Sequence, residues 1–139
     1  MALATFLQLL RPHSLEDERA VRVYRDHAQH VTERVREVFD SWVRLREVEP
    51  EYVRLANTAS VNRWALLRLA DQVERLRPPR RLGGVHRDLL EAVRAAARAC
   101  QLLANGYRFH KSDAICDGQA LLLDTVQELE TLLLQVDPR

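Results

Sequence analysis

With 139 residues, 47% of them hydrophobic and 29% charged, the chain is long enough to bury a core and too apolar to remain disordered. Four glycines and five prolines supply too few turns for an all-β fold, so the expected class is all-α. Lysine plus arginine number 21 against 20 acidic residues, a balance that gives no pull toward nucleic acid or an anionic membrane.

The basic residues are arginines apart from Lys111, a skew that a GC-rich genome produces. Cys100 and Cys116 have neither a C-x-x-C spacing nor a secreted context, and read as reduced thiols of a cytoplasmic protein. The opening MALATFLQLL is apolar but has no basic flank and is too short to span a bilayer. Leu3, Phe6, Leu7 and Leu10 recur at three and four residues, which predicts a short helix over 1–11 with one apolar face.

A long helix is predicted from Ser14 to Val48. Ser14 is its candidate N-cap, and Glu16, Asp17 and Glu18 suit the positive end of the helix dipole. Its seam is Val21, Tyr24, Ala28, Val31, Val35, Val38, Trp42 and Leu45, alternating steps of three and four. At Pro50 the phase changes, which reads as a tight hairpin, or as a kink in one continuous helix. The next helix, 51–77, carries Tyr52, Leu55, Ala59, Asn62, Leu66, Leu69, Val73 and Leu76 on its seam.

RPPRRLGG is the clearest break in the chain. A third helix is expected over 85–105, with Leu89, Val93, Ala96, Ala97, Cys100, Leu103 and Ala104 on one side and Asn105-Gly106 as its stop. A fourth, 112–136, would start at Ser112 as N-cap and bury Ile115, Leu122, Val126, Leu129, Leu133 and Val136. Short connections between four helices predict one domain, an antiparallel up-down-up-down four-helix bundle with the short extra N-terminal helix.

Folding the seams about their turns sets Val35, Asn62, Cys100 and Gln119 in one layer. Asn62, Cys100 and Gln119 are therefore candidate ligand-binding residues, or a polar device that keeps the helices in register. In YRFHKSDAICDG, His110, Asp113 and Asp117 share a face at metal-ligand spacing if the last helix begins early. The simpler reading is a capped turn. No Glu-x-x-His pair of a di-iron bundle occurs, no cofactor motif is present, and no catalytic set converges.

Arg75, Arg77, Arg80, Arg81, His86 and Arg87 gather near the RPPRRLGG turn, a patch able to hold phosphate or an acidic partner. The segment Arg25-Asp26-His27-Ala28-Gln29-His30 resembles the Arg-(Asn/Asp/His)-x-x-x-His motif of HEPN ribonucleases, which are also small helical bundles. In that family the motif typically lies late in the domain, and an arginine-rich chain meets the spacing by chance. Membership does not follow. What the resemblance implies is an RNA-directed function through Arg25 and His30.

The leading expectation is a non-enzymatic bundle that acts by forming a homodimer or binding a protein partner, with no cofactor, metal or membrane. Leu3, Phe6, Leu7, Leu10 and the off-seam Trp64 are its expected interface. A ligand-binding or hydrolytic bundle using the Asn62 layer ranks second.

Overall fold

The computed structural model describes residues 15–48 and 51–136, and these fold as four α-helices with one short 3₁₀ turn. They are α1 (Leu15–Val48), α2 (Tyr52–Arg75), α3 (Gly83–Arg108) and α4 (Ser112–Gln135), with the 3₁₀ turn Arg80–Leu82 before α3. The short N-terminal helix over 1–11, the Ser14 cap and Pro50 lie outside the described residues.

Pairs of side chains fix the topology. Tyr24 meets His86 and Trp42 meets Tyr107, so α1 and α3 run the same way. Arg94 meets Glu74 and Arg108 meets Ser60, so α2 runs against α3. Arg36 pairs with Glu130, and Gly118 packs on Ala99 and Leu103, which sets α4 against both α1 and α3. The result is the up-down-up-down bundle, in which α1 and α2 run antiparallel rather than as one kinked helix.

The bundle is not square. α3 packs closely on both α2 and α4, α1 touches all three, and α2 and α4 make no close backbone approach among the described residues. The composition of α3 explains this. Ala92, Ala96, Ala97, Ala99, Ala104 and Gly106 are all buried on it, and small residues let neighbouring backbones come near. Between them Leu89 and Leu103 are fully buried, as are Leu122 and Leu129 on α4. Each such leucine contributes about 1.5–3 kcal/mol by leaving water.

The α1 seam holds as spaced. Val21, Tyr24, Ala28, Val31, Val35 and Trp42 are buried, with Val38 and Leu45 partly so. Two polar residues also go inside. Thr32 and Thr125 each return the hydroxyl to the carbonyl four residues back, Ala28 O at 2.8 Å and Leu121 O at 2.7 Å. That bond satisfies the group locally, so burial costs little.

Three boundaries differ from expectation. α2 stops at Arg75, two residues early, because Pro78 disfavours helical backbone at the residue before it and Leu76–Pro79 run outside any helix. α3 begins at Gly83, wound on from the 3₁₀ turn whose Leu82 is buried. The third concerns Asn105-Gly106, which does not stop α3. The helix runs through it to Arg108, and no glycine of the chain has positive φ.

The residue that turns left-handed is His110, at φ 54°. The amide of Lys111 then donates to Gly106 O at 2.8 Å, the six-residue closure of a Schellman ending. Gly106 serves packing instead. A Cβ there would lie 2.7 Å from Ile115 Cγ1 and 2.8 Å from the Ile115 backbone nitrogen. The start of α4 shifts in consequence. Lys111 occupies the N-cap position with extended backbone, no side chain caps the helix, and Ser112 is its first residue. The Ile115 amide donates to Lys111 O, not to the Ser112 hydroxyl.

Candidate functional site

The outer face of α2 exposes three large apolar side chains, Val53, Val61 and Trp64. Opposite its buried seam lies a second heptad series, Arg54, Asn57, Val61, Trp64, Arg68 and Asp71, all exposed. Trp64 is 60% exposed and Val61 67%, with Val53 nearby at 67%. The guanidinium of Arg63 lies 5.1 Å from the Trp64 ring centroid, holding one face of the indole while the rest stays open. Water around an uncovered indole is released when a partner covers it, and tryptophan is the residue most often found at the centre of such contacts.

Around the side of the helix, α1 and α2 enclose a groove of about 390 Å³ lined by His30, Arg34, Ala65, Arg68, Leu69 and Gln72. A more apolar cleft of about 420 Å³ lies nearer the α2–α3 turn, lined by Ala20, Val23 and Leu76 together with Arg19, His27 and Arg77. Tyr24 forms one wall of it. The Tyr24 hydroxyl and His86 Nδ1 share a hydrogen bond at 2.8 Å, with the rings edge to face at 5.7 Å. Burial pushes the Tyr24 phenol up to about 12 and pulls His86 below its ordinary value, so both are neutral at pH 7. The pair ties α1 to α3 and carries no charge of its own.

The opposite end of the bundle is aromatic. Trp42 Nε1 donates to the Tyr107 hydroxyl at 3.2 Å, Tyr52 meets Tyr107 edge on at 5.2 Å, and His110 stacks on Tyr52 at 5.0 Å. His110 is thus engaged by a ring, while Asp113 and Asp117 are exposed in the first turns of α4. Among the described residues no three His, Cys, Asp or Glu side chains are grouped to hold a metal ion.

The Asn62 layer divides. Cys100 is buried beside the alanines of α3, and burial pushes its thiol up to about 12, so it is a neutral small apolar group. Asn62 is only partly buried. Gln119 lines a groove of about 340 Å³ between α1 and α4 with Phe39, Trp42, Val43, Arg46, Cys116, Ala120 and Leu123, further along α1 than Val35. In that groove Arg46 covers the Trp42 ring at 4.7 Å.

Arg25 and His30 point to different neighbours. Arg25 Nη1 donates to Gln29 Oε1 at 3.5 Å, and its buried Nε has no partner among the described residues. His30 faces the α1–α2 groove with Arg34. Arg80 and Arg81 line a further cleft with Asp17, Val21 and Pro79. Leu3, Phe6, Leu7 and Leu10 of the expected interface lie outside the described residues.

No family model, no curated protein and no solved structure matches this chain. Among the described residues no helix is long and apolar enough to cross a membrane.

Proposed function

We propose that this bundle acts without catalysing a reaction, by pairing with a second copy of itself through the outer face of α2. The exposed Trp64, beside the exposed Val61, carries the reading. A tryptophan held open on a rigid helix is placed to bind, and covering it releases more water than covering any neighbour.

The order of residues favours a second copy as the partner. Arg54, Val61, Trp64 and Asp71 are symmetric about a point between Val61 and Trp64. Two such helices laid antiparallel set Val61 of one copy on Trp64 of the other, twice, and bring Arg54 toward Asp71 at both ends. An isologous contact requires this kind of self-complementarity.

Light scattering at micromolar protein tests it. The expected result is a dimer that Trp64→Ser with Val61→Ser converts to a monomer, with the melting temperature of the folded chain little changed because both residues are exposed. A wild-type monomer, or a dimer indifferent to the double substitution, overturns the proposal. Deleting residues 1–11 in parallel reports whether Leu3, Phe6, Leu7 and Leu10 add to the same association.

A further inference from the structure

We infer that the groove between α1 and α2 is a binding site for a phosphate group, held by Arg34, Arg68, His30 and Gln72. The groove measures about 390 Å³, within the range of small-ligand sites, and these four polar residues lie on a floor of Ala65 and Leu69. His30 and Arg34 are one turn apart on α1, and Arg68 and Gln72 one turn apart on α2. All four side chains line the one groove between the antiparallel α1 and α2. Ser41, Leu45, Arg54 and Thr58 line a separate groove nearer the hairpin's closed end.

Two guanidinium groups therefore flank one groove whose lining contains no carboxylate. Arg34 uses one nitrogen on Glu37, at 3.3 Å, on the exposed surface of α1. Arg68, His30 and Gln72 have no hydrogen bond or ion pair among the described residues. Like charges facing across a groove repel, and an anion between them turns the repulsion into two attractions.

The donor set suits phosphate better than a carboxylate. Two guanidinium forks, an amide NH₂ and an imidazole offer more N–H groups than two carboxylate oxygens can accept. A phosphate presents three terminal oxygens and takes bidentate bonds from arginine. The apolar floor gives the remainder of a phosphorylated small molecule a surface to lie on. The site shares Arg68 with the edge of the α2 face proposed for pairing but uses neither Val61 nor Trp64.

Isothermal titration with inorganic phosphate, pyrophosphate and AMP, at constant ionic strength set with chloride, is the test. Wild-type protein should bind at least one of the three saturably, and the preferred one identifies the phosphate's bearer. Arg34→Gln and Arg68→Gln should each weaken that binding by roughly tenfold or more. Arg34 and Arg68 are exposed, so folding is kept and circular dichroism confirms it. Arg80→Gln with Arg81→Gln should leave binding unchanged. No saturable binding of any of the three at millimolar concentration, or loss with the Arg80/Arg81 pair but not with Arg68→Gln, overturns the inference.

Discussion

Gly106 packs on Ile115 so closely that the two backbones leave no room for a methyl group: a Cβ on Gly106 would stand 2.8 Å from the Ile115 amide nitrogen. This contact closes the turn from α3 into α4, since the same residue's carbonyl accepts from Lys111. Gly106→Ala should therefore destabilise the fold, although alanine gains about 1 kcal/mol of helix propensity over glycine. Overpacking against a backbone atom costs about 1–3 kcal/mol beyond that gain. Gly84→Ala is the control, because nothing lies within 4 Å of the added methyl. Urea denaturation should show a loss for the first and a neutral or slightly positive change for the second.

His110 holds left-handed backbone at φ 54° and stacks on Tyr52. Asparagine tolerates that conformation and a β-branched residue does not. His110→Val should cost about 1–2 kcal/mol more than His110→Asn, since both lose the ring but only valine strains the turn. Ser112→Ala should stay within about 0.5 kcal/mol of wild type, because the hydroxyl caps no amide. A Ser112→Ala loss near 1 kcal/mol, the cost of a removed N-cap, would contradict the assignment of Lys111 to the cap position.

Asn62 stands on the core seam of α2, yet is partly exposed. An asparagine at a half-buried seam position spends packing area on a group that water can still reach. Asn62→Leu should leave the bundle folded and raise its stability by up to about 1 kcal/mol, in the manner of other polar-to-apolar replacements in helical cores. A loss exceeding 1 kcal/mol in a thermal melt would mean that the amide is tied to something the apolar side chain cannot replace.

How much of this was legible follows from how local each signal is. The α1 seam could be read because steps of three and four place Val21 through Trp42 on one stripe whatever the partner. Gly106 was misread because its reason is Ile115, nine positions away in the chain; the dipeptide Asn105-Gly106 alone says only that a helix could end there. Gln119 was set with Val35 by assuming equal offsets at every turn. The structure places it beside Trp42 and Val43, because the register of α1 against α4 is fixed across the bundle, where Arg36 meets Glu130. The groove residues did leave a trace. His30 with Arg34, and Arg68 with Gln72, are i,i+4 pairs on the two helices of one hairpin, so each pair presents its polar groups on one side of its own helix.

The Tyr24–His86 pair makes stability depend on pH at both ends of the range. Burial lowers the folded pKa of His86 below its unfolded value near 6.5. Between those two values the unfolded chain binds more protons than the folded one, so stability rises with pH through that window and is lost as pH falls through it. Tyr24 acts in the opposite sense. Its folded pKa is about 12 against an ordinary 10.0, so its contribution is fully present below pH 10 and disappears as pH rises toward 12. Cys100, pushed from 9.0 to about 12, adds a second alkaline loss of the same sign. Melting temperatures measured from pH 5 to pH 11 should therefore form a dome. His86→Gln should flatten its acid side between pH 7 and pH 5, while the slope from surface carboxylates remains. Tyr24→Phe should flatten the alkaline side above pH 10, at the cost of roughly 0.5–1.5 kcal/mol at neutral pH for the lost hydrogen bond to Nδ1. An acid limb unchanged by His86→Gln would show that the imidazole takes up its proton as readily in the folded bundle as in the open chain.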